Sequence, residues 1–430
     1  ELLGTEKNSE NREIINSKER NIKLLKKEFD RERNLDPQLV EALAKAKSKG
    51  YESWQEARRK SDFSIFLPFF KDLIELRIEE AKQISDQYSA WETLAQPFEP
   101  ELTLKWLNNI FRPIRDTIPS LIREINQTKK YDWDLSPNSQ QNLCTKLLDE
   151  FGRDKDLVSE AKSPHPFSIT LGPSDFRITT RIVKGEPFSS FLATAHEWGH
   201  SIYEQGLPSQ SHQWFAWPLG QATSMGVHES QSLFWENRIV KSKSFSKRFF
   251  KNFVSEGCSF NSYLELWKSI NHLKAGLNRV EADELTYGLH ILIRTELEVN
   301  LIEGGLEAKD IPCEWNKKYH ELLGIKPSND SEGCLQDVHW SEGAFGYFPS
   351  YLLGHLISAQ ISSQMEKDIG LIDDLIDEGE YLKIIFWLKK NIHQYGRSVN
   401  AMDLVRKVTK EELSSDYFLN YLTSKMKDFC

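Results

Sequence analysis

Cysteine is scarce and unpatterned in this sequence. Among 430 residues there are five, at Cys144, Cys258, Cys313, Cys334 and Cys430, with no Cys-x-x-Cys pair. An odd, scattered set argues against a disulfide framework and against a thiolate zinc site, and it fits a reducing cytoplasm. Long apolar runs are missing too. The strongest, Phe63–Phe70, is broken by Ser64 and Pro68, far short of the roughly eighteen residues a membrane helix needs. The expectation is a soluble chain with no membrane partner. Nor is there a basic block: the net charge is −9 and Lys and Arg alternate with Asp and Glu, which argues against nucleic acid. The opening stretch from Glu1 is polar and charged, without the basic and then apolar order of a signal peptide. No repeat, low-complexity tract or Pro/Gly/Ser-rich linker divides the sequence. A length that would allow two or three domains is therefore read as a single domain over residues 1–430.

What the sequence does have is helical periodicity. Between Glu10 and Lys60 apolar residues recur at three-to-four spacing among dense charge, as in Ile22, Leu24, Leu25 and Phe29. They hold no strict heptad, and Pro37 and Gly50 punctuate them, so packed helical hairpins are expected instead of a coiled coil. The same period predicts helices over 70–90, 102–127, 138–151, 187–205, 222–241, 244–275, 281–300 and 346–364. One segment differs. Residues 167–183 alternate β-formers with polar residues around Gly172-Pro173, which predicts a small β-ribbon. The fold class expected is all-α with that ribbon as the exception.

His196-Glu197-Trp198-Gly199-His200 is an HExxH motif. On a helix its i,i+4 spacing sets both imidazoles on one face, one turn apart, where they can share a metal ion. Pro187 suits the first turn of that helix and Gly206 its C-terminal stop. A catalytic zinc needs a third protein ligand and one open position. Glu229, in Gly226-Val227-His228-Glu229-Ser230-Gln231, lies in the next apolar-periodic stretch, which can fold back after the loop around Pro208–Pro218. His228 and Glu236 compete for the same role on spacing alone.

Further segments sharpen this. His165-Pro166-Phe167, Asp175-Phe176-Arg177-Ile178-Thr179, the HExxH at 196–200, His228-Glu229-Ser230-Gln231 and Gly333-Cys334-Leu335-Gln336-Asp337-Val338-His339-Trp340 follow one another in that order. In these the chain resembles the carboxypeptidase Taq family of metallocarboxypeptidases, from about residue 10 to the C-terminus. There are departures. Asn278-Arg279-Val280-Glu281-Ala282-Asp283 carries Asn where the family has Ile, and the loop before Glu229 is longer. A further N-terminal helical segment with Trp-Asp and Met-Pro elements has no counterpart here, so the chain reads as N-terminally shortened.

The resemblance implies a helical, two-lobed fold around a deep groove, with residues up to about 95 as a helical lid, a catalytic body from about 96 to 430, and a homodimer as the common assembly. It implies that His196, His200 and Glu229 bind Zn²⁺, or Co²⁺ or Mn²⁺ in its place, with Glu197 as general base for hydrolysis of a peptide with a free C-terminus. His339 and Tyr347, with Tyr351 as an outsider, are the candidates to stabilise the oxyanion. Arg279 and Arg177 are the candidates for the substrate carboxylate, since a guanidinium donates two parallel hydrogen bonds. Asp283, four residues after Arg279, is the available partner for a structural ion pair instead. His165 and Asp175 are expected to orient ligands or shape the groove. Competing expectations are an oligopeptidase with the same metal chemistry, a catalytically impaired helical scaffold, and a closed structural metal site.

Overall fold

The computed structural model describes residues 2–124, 133–208 and 215–429, with side chains from Ser17 onward. Helical periodicity becomes helix along most of it. The chain opens with α1 (Leu2–Arg33), α2 (Pro37–Lys60), α3 (Phe63–Ile84), the single-turn α4 (Ala90–Ala95), α5 (Leu104–Glu124) and α6 (Pro137–Glu150). Asp36 and Asp62 accept from the first-turn amides of α2 and α3, and Ser89 caps α4 reciprocally with Glu92, which satisfies amides a helix start leaves free. The expected continuation of α5 to Gln127 lies outside the described residues.

The β-ribbon is present, as β2 (Phe167–Gly172) and β3 (Asp175–Thr180), and it has a third member. β1 (Val158–Lys162) pairs parallel with β3, giving the order β1-β3-β2. Phe176 and Ile178 of β3 are buried while Arg177 between them is exposed, the alternation a half-covered strand requires. The sheet lies against the next helix, α7 (Ser189–Gly206), and Thr180 Oγ1 donates to the Ser190 carbonyl at 3.0 Å.

Around α7 the molecule closes. It is followed by α8 (Met225–Leu233), which runs directly into a π-helical segment over Phe234–Val240, then α9 (Lys243–Ser255), α10 (Tyr263–Ile270), α11 (Tyr287–Ile302), α12 (Ile311–Leu323), α13 (Pro349–Ile369), α14 (Ile372–Glu378), α15 (Tyr381–Asn391), α16 (Ala401–Thr409) and α17 (Asp416–Met426). One hydrophobic core runs continuously from Trp54 to Met426. Nearly every side of α7 is buried, including Phe191, Ala195, Trp198, Ile202 and Tyr203, so it is the internal helix its composition predicts. Among the described residues no helix is long and apolar enough to cross a membrane, and Cys144, Cys258, Cys313 and Cys334 are free thiols.

Some boundaries differ from the sequence expectation for identifiable reasons. The expected helix over 244–275 divides because Gly257 adopts φ +100°. The one over 281–300 begins at Tyr287, after a 3₁₀ turn at Arg279–Glu281. Pro187 precedes α7 instead of occupying its first turn. Gly206 ends α7, but packing is what demands it: a Cβ there would lie 2.4 Å from the His393 ring.

Two other glycines set the spacing of the central helices. A Cβ on Gly199 would stand 2.4 Å from the Gln231 carbonyl oxygen and 2.5 Å from Ser232 Cα, so α7 and α8 touch backbone to backbone. A Cβ on Gly354 would lie 2.8 Å from Glu229 Cγ, so α13 closes on α8 at the glutamate itself. Alanine at a mid-helix glycine normally stabilises by about 1 kcal/mol. At Gly199 it must displace backbone, and overpacking of that kind costs about 1–3 kcal/mol. Gly199→Ala is therefore expected to lose stability in urea denaturation of the metal-free protein, whereas a net gain would show that the helices do not meet there.

Candidate metal centre

Four residues apart on α7, His196 and His200 project from one face, with ring centroids 4.9 Å apart and planes at 83°. α8 brings the third group. Its start is fixed by Ser224, whose hydroxyl accepts from Val227 N, and by the Phe98 carbonyl and the buried Glu99 carboxylate, which accept from Met225 N and Gly226 N. Burial pushes Glu99 up to about 7, against hydrogen bonds that favour its anion. One turn into α8, Glu229 Oε2 reaches 3.5 Å from His200 Nε2 and 3.8 Å from His196 Nε2.

These three donor atoms lie within 4.8 Å of one another, yet no pair stands at a good hydrogen-bonding distance. Two imidazole nitrogens and a carboxylate oxygen converging without bonding each other is the arrangement that fits a shared divalent cation such as Zn²⁺ or Co²⁺. Of the alternatives for the third position, the structure gives each a different task. Glu236, in the π segment, accepts from His196 Nδ1 at 3.0 Å and is itself held by Lys241 at 2.6 Å. His228 meets His200 with Nδ1 to Nδ1 at 2.6 Å and turns its Nε2 to Glu204 at 2.9 Å. Each candidate ligand histidine thus has its second nitrogen engaged, which fixes ring orientation and tautomer.

The charges around the cluster are strongly coupled. Burial alone would push the His196 imidazole down, but Glu229, the hydrogen-bonded Glu236 and Glu197 outweigh it and push it up to about 10. Burial also disfavours the Glu236 anion, yet Lys241 and His196 hold that carboxyl well below the ordinary range. His200, buried and beside His228 and His196, is held neutral. Glu197, 8 % exposed, is pushed up to about 7 by burial while His196 pulls the other way.

The remaining predicted site residues divide into two groups. His339 stands 3.4 Å by Nε2 from the Tyr351 hydroxyl, and its ring packs 5.2 Å from that of Tyr347. Glu229 acts electrostatically on Tyr347, Tyr351 and Tyr287, which places these phenols on the metal cluster's side. Arg279 joins them: its Nη1 is 3.2 Å from the Tyr287 hydroxyl and its guanidinium lies 5.1 Å over the Tyr351 ring. Its ion-pair partner is Asp337, at 2.8 Å, and not Asp283, which accepts from the Thr286 and Lys274 amides because the 3₁₀ turn breaks the helical i,i+4 relation. Arg177 stands apart, exposed and paired with both oxygens of Asp175. Neither Asp175 nor His165 is the group that orients a ligand histidine; Glu236 and His228 take those positions.

Sequence reasoning passed over Glu204, Lys241, Tyr287, Arg294 and Glu99. For Glu204 a signal existed, since it continues the four-residue spacing of His196 and His200. Tyr287, Arg294 and Glu99 carry no such signal, because their partners are remote in sequence.

Removing an outer partner of a metal-ligating histidine typically costs about 10–100-fold in metal affinity. Glu236→Gln is expected to show that loss in a competition titration against a chromophoric chelator, and unchanged affinity would dissociate Glu236 from the metal. The raised His196 pKa adds a second expectation. Below about 10 a metal must displace the proton on that ring, so zinc uptake at pH 8 should release about one proton and tighten as pH rises. Calorimetry in two buffers of different ionisation enthalpy measures it, and zinc binding with no proton release would show that the His196 ring is already neutral in the metal-free protein.

Comparison with known proteins agrees with this site. Residues 1–426 match the family described as carboxypeptidase Taq (M32) metallopeptidase. The chain is 36% identical over 414 residues to carboxypeptidase 1 of Bacillus subtilis, covering 94% of this chain and 82% of that protein. To thermostable carboxypeptidase 1 of Thermus thermophilus it is 35% identical over 422 residues, with the same coverage of each. A Trypanosoma cruzi metallocarboxypeptidase 1 structure superposes with a TM-score of 0.90 at 33% identity, over 95% of this chain and 84% of that one. A PZ peptidase A structure, at 13% identity and a TM-score of 0.62 over 94% and 79%, shares the fold alone. The chain belongs to the carboxypeptidase Taq (M32) metallopeptidases and is a metal-dependent carboxypeptidase with their helical, two-lobed fold.

Proposed function

We propose that His196, His200 and Glu229 hold the divalent metal, Zn²⁺ or a substituting Co²⁺ or Mn²⁺, while Glu197 handles the proton and Arg279 receives the substrate's terminal carboxylate. When bound, the metal supplies Lewis acidity that makes water a nucleophile near neutral pH. Glu197, next to the first ligand and with its pKa pushed up to about 7, is poised to take a proton from the attacking water and return it to the leaving amine.

The observation that carries the carboxypeptidase direction is an imbalance of buried charge. Arg279 and Arg294 both bond Asp337, at 2.8 and 2.6 Å, through one oxygen each. Two buried guanidiniums share one carboxylate, so a positive charge is left over on the side where Tyr287 and Tyr351 flank Arg279. A substrate carboxylate neutralises it with charge-assisted hydrogen bonds. Arg177 is already balanced by Asp175 at an exposed position, which favours Arg279.

His339, pushed down to about 4 by burial, is neutral at working pH and offers an N–H without bringing in a charge. With Tyr347 and Tyr351 it is the proposed donor set for the developing oxyanion. The helices of residues 1–95 are the proposed lid of a single domain, a reading supported by the closeness of α2 to the 3₁₀ turn that begins at His339: a Cβ on Gly50 would meet the Ser341 carbonyl oxygen at 2.7 Å. Free thiols at the described cysteines favour a reducing cytoplasm as the place of action.

Glu197→Gln is expected to keep its metal and lose about 10²–10⁴-fold in kcat, the range general base catalysis contributes. Arg279→Gln is expected to lower kcat/KM for a free-acid peptide by about a hundredfold, with little change for the C-terminally amidated peptide. Mass spectrometry of N-blocked peptides reads both. Internal cuts in both peptides by the unaltered enzyme would replace this reading with an oligopeptidase.

A further inference from the structure

Beside the π segment lies a cavity of about 610 Å³, bounded by that segment, α10, α13, α14 and α17. It is lined in part by Arg238, Lys241, Trp267, Glu366, Asp373 and Tyr421. Most of its charges are matched. Lys241 pairs with Glu236 at 2.6 Å, Lys243 with Asp428 at 2.6 Å and Lys425 with Glu284 at 2.7 Å. Among the described residues, Arg238 has neither an ion pair nor a hydrogen bond for its guanidinium; its Cζ stands over the Tyr421 ring, 3.2 Å from the centroid, and Glu284 and Glu366 act on it only from beyond ion-pair distance. A contact through the guanidinium's face leaves its N–H donors free, and Arg238 is one of the residues that line the cavity. Glu366 and Asp373 are the complementary case. Both line the same cavity; among the described residues neither has a cation at ion-pair distance, Arg238 acting on Glu366 only from farther away, and Glu366 accepts a long 3.4 Å bond from the Ile372 amide.

We propose that this cavity binds a free α-amino acid, its carboxylate on the edge of Arg238 and its ammonium between Glu366 and Asp373. Arg238 and Glu366 attract one another across the cavity without reaching ion-pair distance; a simple anion would give a contact counter-charge to the guanidinium alone and a simple cation to the carboxylates alone, whereas a zwitterion can bridge them and meet both. The volume admits an amino acid with a large side chain, and Trp267 and Ile372 supply apolar wall beside Ser362 and Ser424. Free amino acids are what a carboxypeptidase releases, so the inference rests on that activity for its ligand's source, though not for its geometry. Lys241, which lines the cavity, is bonded to Glu236, the residue that orients His196, so two hydrogen bonds connect the cavity wall to the metal centre.

The test is calorimetric titration of the metal-free protein, where turnover plays no part, with L-alanine, L-leucine and L-phenylalanine, their amides and their N-acetyl derivatives. At least one free amino acid should bind once per chain. Its amide and N-acetyl form should bind about tenfold more weakly or worse, the loss of a charge-assisted hydrogen bond. Arg238→Gln and Glu366→Gln should each reproduce that loss, and Arg279→Gln should not. Glu366 is partly exposed, so its variant keeps the test available if Arg238→Gln fails to fold. Binding abolished by Arg279→Gln but intact in Arg238→Gln would put the ligand in the catalytic groove and overturn the proposal. Equal binding of the amide or the N-acetyl form, or no binding of any free amino acid at millimolar concentration, would overturn it as well. Because none of these readouts involves peptide cleavage, a failure here is separable from a failure of the carboxypeptidase assignment.

Discussion

Everything at the metal centre depends on how closely three helices approach. α7 carries the two histidines, α8 carries Glu229, and their donor atoms fit within 4.8 Å only because α7 meets the backbone of α8 at Gly199 and α13 meets Glu229 at Gly354. Interhelical distances are set by the side chains at the crossing, and ordinary residues hold helix axes some 8–10 Å apart. A methyl group at either glycine would push a helix by more than the margin that ligand geometry tolerates. The HExxH motif therefore supplies donors, and the glycines supply the distance at which they can act together.

Orientation is a separate problem, solved by pairs of supports. His196 is held by Glu236 and Lys241, His200 by His228 and Glu204. Glu204 lies on α7 itself, one turn beyond His200, while Glu236 lies two turns beyond Glu229, in the π segment. Both supports thus sit on extensions of the helices that carry the ligands, so the same packing that fixes the spacing also fixes the rings. A π turn widens the helix locally and is a common device at functional sites. Here one such segment carries both Glu236, which bonds the histidine, and Arg238, which lines the neighbouring cavity.

This arrangement was legible in the sequence to different depths. Helices came through well where one face is apolar and the other charged, as in α2 and α6. The ligands were legible because their chemistry repeats at the period of a helix, and Glu229 stood out among its rivals by resemblance and not by spacing. What stayed hidden depends on contacts distant in sequence. β1 pairs parallel with β3, and Val-Ser-Glu-Ala-Lys has no alternation to announce it. Asp337 as the partner of Arg279 spans 58 residues, whereas the local alternative, Asp283, was visible and wrong. Gly206 looked like a helix stop by convention, and its actual reason is the ring of His393 against the last turn.

The metal cluster and the surroundings of Arg279 carry opposite excess charge, and that follows from counting groups and not from any one contact. Around the histidines, Glu229, Glu236 and Glu197 face Lys241 as the nearest fixed cation, a surplus strong enough to push His196 up to about 10. Around Arg279, two guanidiniums face Asp337 alone. Burying either surplus uncompensated is costly. On the assignment proposed above, a divalent cation would relieve the first and a terminal carboxylate the second. Peptides without a free C-terminus relieve only one. On that proposal, discrimination against them would need no steric wall, because an amide placed against Arg279 would leave the buried charge unmet.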